Sequence, residues 1–194
     1  LKTSLAELQK LGVDQVMLTG GESASAIELN LGDESLVKAV SAGLPHFMAY
    51  DGQTAEPVVL DVQGADLSLD LQDVTTSTVG TLKGAGVEEL TVEFGSQGEF
   101  TGLFDSNGAF VDQHLGGELQ ALSGVAGLSQ GVAFDARGVT GGLTLTDAEA
   151  STLVNDGVHF ISNTEHQVTL GVSAEGTHLK TSLAELQKLG VDQV

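Results

Sequence analysis

The sixteen residues LKTSLAELQKLGVDQV at Leu1–Val16 return letter for letter at Leu179–Val194. Chance does not produce a match of that length. The chain therefore carries a self-similarity whose period runs from position 1 to position 179, a step of 178 residues. A fixed period constrains the fold before any local propensity does, because each copy must bury its apolar face against a neighbour. The simplest reading is one period of a tandem array, followed by the first residues of the next.

A shorter pattern recurs inside the period. Apolar residues three apart are followed by Gly and then by Val or Leu: Leu5, Leu8, Leu11, Gly12, Val13; Leu36, Ala39, Ala42, Gly43, Leu44; Val79, Leu82, Ala85, Gly86, Val87; Ala150, Leu153, Asp156, Gly157, Val158; and Leu183, Leu186, Leu189, Gly190, Val191. Such spacing puts the apolar residues on one helix face, and the Gly is where a left-handed C-cap ends the helix. Ser4 with Glu7, Thr146 with Glu149 and Ser182 with Glu185 match capping boxes at helix starts. A further copy, Glu118 to Gln130, is interrupted by Gly124 and Gly127 and leads to Gly131 and Val132. The period thus divides into about five unequal units, starting near positions 3, 34, 74, 115 and 146, in one continuous segment over residues 1–194.

After each Gly step a strand is expected, over Val13–Leu18, Leu44–Tyr50, Val87–Phe94, Val132–Ala136 and Val158–Ser162. A second strand is read before the next helix from alternating residues at 27–31, 67–71, 143–145 and 168–172. Two strands per helix span about 9.6 Å, matching helices roughly 8–10 Å apart. The expected fold is therefore an α/β repeat solenoid of helix–strand–strand units: one long sheet with helices on one face. The alternative is a β-solenoid-like or leucine-rich-repeat-like arc. In the first arrangement Glu28, Asn30, Ser68, Asp70, Thr91, Glu93 and Thr144 line an open, wet sheet face.

Composition narrows the function. Seven Lys and Arg face 27 Asp and Glu, a net charge of −20. Such a surface repels phosphate backbones and anionic membranes, so nucleic-acid binding is excluded as an expectation. No apolar run is long enough for a membrane span, and no signal peptide is seen, as expected of a piece cut from an array. Cysteine is absent, which removes disulfides and thiolate metal sites.

Residues that could carry chemistry are few. Asp105, Ser106, Asn107 and Gly108, with Asp112 beyond, resemble part of a calcium loop, so Asp105, Asn107 and Asp112 are the candidate ligands for Ca2+. An Asx-turn explains the same residues without a metal. Asp61, Asp66, Asp70 and Asp73 read as a solvated face, and His159 and His166 flank a turn that could hold a metal. The Gly pairs at Gly20–Gly21, Gly116–Gly117 and Gly141–Gly142 lack the Lys-Ser/Thr of a phosphate loop and read as turns. No catalytic constellation emerges, so no enzyme activity and no required cofactor are expected.

The phrase LAELQKLGVDQV, the acidic, glycine-rich and cysteine-free composition and the long repeat resemble the repeat regions of very large secreted bacterial surface adhesins and biofilm proteins. That resemblance implies export to the cell surface, a rod-like or filamentous role, and partners that are neighbouring identical repeats end to end, or other copies of the same protein. The functional expectation is a stalk, extender or filament segment. The alternative is a calcium- or glycan-binding adhesion module that uses the acidic sheet face. Leu5, Leu8, Leu11 and the glycine stops carry the fold in this reading. Gly12→Val should lower the melting temperature, because a β-branched residue tolerates a left-handed cap poorly; an unchanged melting curve would contradict it.

Overall fold

A computed structural model describes residues 11–13, 15–19, 27–30, 36–42, 44–50, 55–56, 58–171 and 179–194. The helix and capping box read at 4–11, and Gly20, Gly21 and Gly43, lie wholly or mostly outside them. Among the described residues the order is β1 (Gln15–Thr19), β2 (Ile27–Asn30), α1 (Leu36–Ala42), β3 (His46–Tyr50), β4 (Ala55–Glu56), β5 (Val58–Gln63), a short 3-10 turn (Gly64–Asp66) and α2 (Leu67–Asp70). Then come α3 (Thr76–Gly84), β6 (Val87–Glu93), α4 (Gln97–Thr101), α5 (Leu115–Ser123), β7 (Gly131–Asp135), β8 (Leu143–Leu145), α6 (Asp147–Asn155), β9 (Val158–Ile161), β10 (Val168–Leu170) and α7 (Leu183–Leu189).

Helix limits follow from local chemistry. Thr146 and Ser182 close capping boxes with Glu149 and Glu185, as their spacing predicts, and Thr75 closes another with Thr78. Each satisfies N–H groups that a helix start leaves without a partner. The described glycine stops Gly12, Gly86, Gly131, Gly157 and Gly190 all take positive φ, between 71° and 89°, the region that residues with a Cβ avoid. Two glycine-rich stretches depart from expectation. α5 stops at Ser123, and the chain to Gln130 is a turn held by the Leu128 N–H on the Leu122 carbonyl (2.7 Å). Gly116 and Gly117 lie inside α5 rather than in a turn, and a Cβ at Gly116 would sit 3.3 Å from the Asp156 carboxylate.

The expected solenoid is not formed, neither as one long sheet of helix–strand–strand units nor as an arc. The chain is instead a small α/β domain around a parallel sheet of order β2-β5-β6-β7-β9, beside a β8–β10 pair and a β1-β3-β4 sheet. The reason lies in the pairing. The two strands read within one unit do not lie side by side: β7 pairs β9, while β8 pairs β10. A parallel neighbour must be reached by a crossover, and α5 and α6 supply it between β6, β7 and β9. The two-strands-per-helix spacing therefore has nothing to act on.

The strand read at 67–71 is also corrected. Leu67 and Leu71 are fully buried four residues apart, on one side of α2. The strand that the sheet uses there is Val58–Gln63, a run with one exposed residue at its end. Parallel strands covered on both faces read as continuous apolar runs rather than alternations.

Strand register builds the core. Leu60, Leu90, Val132 and Val158 form one row across the sheet, and Val62, Val92, Phe134 and Phe160 the next. These rows join Leu82, Leu119 and Leu153 of α3, α5 and α6 in one apolar cluster. The opposite parity carries Asp61, Thr91 and Ala133, all buried. Thr91 and Asp70 are thus not on a wet face, and Glu93 is half-buried; Thr144 is exposed as expected, and the Glu28 and Asn30 side chains lie outside the described residues.

Phe100 of α4 is fully buried, with its ring 5.6 Å from Phe94, 5.3 Å from Phe104, 6.5 Å from Phe134 and 6.0 Å from Phe160. It ties a short helix to three strands. Phe100→Ala should cost about 3–5 kcal/mol, measured by urea denaturation. A loss below 1 kcal/mol, on the order of a surface substitution, would show that the cluster does not hold this part of the fold.

Candidate functional site

Two places gather the residues that could act on a partner or ligand. The first is a cavity of about 460 Å³ lined by Ser68, Gln72, Asp73, Asp112, His114 and Glu118. The turn after α2 supplies Asp73, whose φ of 65° is the one positive value at a non-glycine among the described residues. Its N–H donates to Glu118 Oε1 at 2.9 Å. Asp112 accepts from the His114 N–H at 3.0 Å, just ahead of α5. Glu118 follows in the first turn of that helix and is 8% exposed. Burial raises its carboxyl above the ordinary value, the Asp112 charge adds to the rise, and the Asp73 N–H opposes it. Its Oε2 finds no hydrogen-bond partner among the described residues. Asp156 behaves alike: burial raises it, against a 2.7 Å bond from Gln120.

Asp105 and Asn107, two of the calcium candidates, bond to each other within their loop. Asp105 Oδ1 accepts the N–H groups of Asn107 (2.8 Å) and Ala109 (3.0 Å), and Asn107 Nδ2 reaches Oδ2 at 3.3 Å. These bonds lower the Asp105 pKa and form an Asx-turn within the loop. The loop serves packing, because the Thr152 hydroxyl of α6 donates to the Gly108 carbonyl at 2.7 Å. Asp112 turns instead to the acidic cavity. Asp61, Asp66, Asp70 and Asp73 are spread over β5, the 3-10 turn, the end of α2 and the turn beyond. His166 Nδ1 lies 3.2 Å from Asn163 Oδ1. Among the described residues no three His, Cys, Asp or Glu side chains stand together as a metal-holding group.

The second place is where the C-terminal copy of the duplicated segment sits. The Asp147 carboxylate at the start of α6 accepts the N–H groups of Lys180 (2.7 Å) and Thr181 (3.3 Å). α7 then packs on α6 and β9, with Leu186 and Leu189 only 2% and 1% exposed. Gly190 takes φ +89° directly against the Phe160 carbonyl, where a Cβ would come within 2.8 Å. The chain finally lies beside β10 as a parallel neighbour. The N–H groups of Asp192 and Gln193 reach the Val168 carbonyl at 2.8 and 3.2 Å, and the Leu170 N–H reaches the Gln193 carbonyl at 2.8 Å. The Asp192 side chain accepts from the Val168 N–H, and Gln193 bonds Gln167.

Leu11 and Gly12, the described counterparts of Leu189 and Gly190, have other surroundings. Leu11, the counterpart of Leu189, is 75% exposed, and a Cβ on Gly12 would meet nothing within 4 Å. Leu183, the counterpart of Leu5, stays 68% exposed even in the docked copy, so that position is not a core position of the helix face. Sequence reasoning found the duplication but neither the place that receives it nor the acidic cavity. Asp147 and Val168 carry no motif, and of the cavity's lining Ser68, Asp73 and Asp112 were noticed for other reasons while His114 and Glu118, four apart, were missed.

No family model matches this chain, and no match is found among curated proteins or solved structures.

A carboxyl whose folded pKa is raised holds its proton more tightly in the folded state. Its contribution to stability is full at low pH and is lost as pH rises from about its ordinary value of 4.5 through the raised one. Glu118→Gln carries no charge at any pH. In urea titrations it should be more stable than the wild type at neutral pH, with the difference shrinking as pH falls through the raised value towards 4.5 and constant below it. A gap independent of pH would place the effect elsewhere.

Proposed function

We propose that this chain is a structural segment, a stalk, extender or filament section, of a large bacterial cell-surface protein in which the 178-residue period recurs end to end. The observation that carries the reading is the docked copy of the duplicated segment. Its capped helix, left-handed glycine and strand close over α6, β9 and β10, burying Leu186 and Leu189. The start of one period therefore forms the finished end of the period before it. Stacked segments of this kind gain stability from their nearest-neighbour interfaces. The net charge of −20 supports the reading too, since it keeps neighbouring copies soluble and apart. The role is mechanical and needs no cofactor.

A chain of two periods, residues 1–178 followed by 1–194, tests it. The joint buries the Leu11 that the single chain leaves exposed. The two-period chain should therefore melt cooperatively at a higher temperature than the single one. Two periods that unfold independently, at the temperature of the single chain, would remove the structural reading.

A further inference from the structure

We infer that the surface formed by α6, β9 and β10 is a docking site for the N-terminal segment of a second copy of this chain, so that separate molecules join head to tail by exchanging the duplicated segment. The inference rests on the reading of that segment as the joint of an array. It adds that the joint forms between chains without a covalent link.

Three observations carry it. The first is identity: the occupant of the site, Leu179–Val194, has the sequence of Leu1–Val16, so the site cannot distinguish its own C-terminal copy from another molecule's N-terminal copy. The second is unmet burial. Leu189 in the docked copy is 1% exposed and its counterpart Leu11 is 75% exposed, so Leu11 presents an apolar side chain that the site would cover.

The third is the direction of the main chain. In a strand, alternate residues point their N–H and C=O groups to opposite edges. β3 lies between β1 and β4. The Phe47 N–H reaches the Ala85 carbonyl at 2.7 Å, on the side of β3 away from β1. His46 and Met48 therefore face β1. Met48 is in register with Met17, so its bonds go to the flanking Val16 and Leu18. Gln15 and Met17 are left facing the other edge of β1, which has no partner strand among the described residues. In the docked copy the counterpart of Gln15 is Gln193, and its own N–H and C=O meet Val168 and Leu170 of β10. One copy of the segment can therefore be held by β3 of its own molecule through the backbone of Val16 and Leu18, and by β10 of the molecule before it through the backbone of the residue at the Gln15 position. Within a single chain the C-terminal copy occupies the site at an effective concentration on the order of millimolar, which keeps the exchange latent.

The test uses the full chain. Leu186→Asp puts a charge into the apolar seat and releases the C-terminal copy, while the N-terminal copy stays intact. Light scattering after size exclusion should show oligomers that lengthen with concentration for this variant. The double variant Leu8→Asp, Leu186→Asp should return to monomer. A folded Leu186→Asp chain that stays monomeric, or a double variant that still assembles, overturns the inference. Should Leu186→Asp lose its circular dichroism, a pair that leaves the apolar core intact decides. A chain with Thr169→Cys is mixed with one carrying Gln15→Cys, in a protein with no cysteine of its own. Prolonged oxidation traps each exchange as it occurs, so the mixed disulfide should accumulate in excess of like pairs and be suppressed by the free peptide LKTSLAELQKLGVDQV; no such accumulation overturns the inference. A two-period chain that melts as one unit while these experiments fail would keep the array and remove only the exchange between molecules.

Discussion

The parallel pairing of β5, β6, β7 and β9 is the constraint on which the rest of the molecule depends. Parallel neighbours cannot be joined by a hairpin, so the chain must leave the sheet, cross over it and return at the same end. α5 and α6 make crossings of this kind, and Gly131 and Gly157 reverse the chain on the way back into β7 and β9. The register then sets Val62, Val92, Phe134 and Phe160 in one row, against which Phe100 packs. Without that register the aromatic rings would not converge, and the short α4 would have nothing to hold it.

The sequence shows the parts of this fold whose causes are local. The caps at Thr146 and Ser182, the glycine stops and the five strands that follow them are visible because each depends on a few adjacent residues. The arrangement of strands was not visible, because pairing is decided by residues far apart. Leu67, Leu69 and Leu71 satisfy a two-residue alternation as well as a helical i, i+4 contact, and only the burial of Leu67 and Leu71 on α2 separates the two. Val58–Gln63 shows no alternation, since both of its faces are covered. Reading the sheet as half-wet therefore displaced one strand and misplaced Thr91 and Asp70.

The same division applies to the sites. The calcium reading of Asp105 and Asn107 rested on residue type, whereas the loop turns Asp105 Oδ1 onto its own N–H groups at Asn107 and Ala109. Glu118 and Asp73 come together from α5 and the turn after α2, 45 residues apart in the sequence, so no local pattern could announce them. In a chain of such negative charge, buried cations are scarce. Asp135 is paired with Arg137 at 2.6 Å, and Lys83 is spent on the carbonyls of Ala126 and Gly127, fixing the turn that follows α5.

The alternation of Gln15 and Val16 between two edges also limits how this protein can change. Along β1, each odd-numbered backbone unit faces outward and each even-numbered one faces β3. Inserting or deleting one residue between Gly12 and Met17 would exchange those roles and turn every side chain of the strand to the opposite face. The segment can accept substitutions at exposed positions such as Leu183, but it cannot change in length. The spacing between Gly12 and β1 therefore decides which edge of the strand each backbone unit serves.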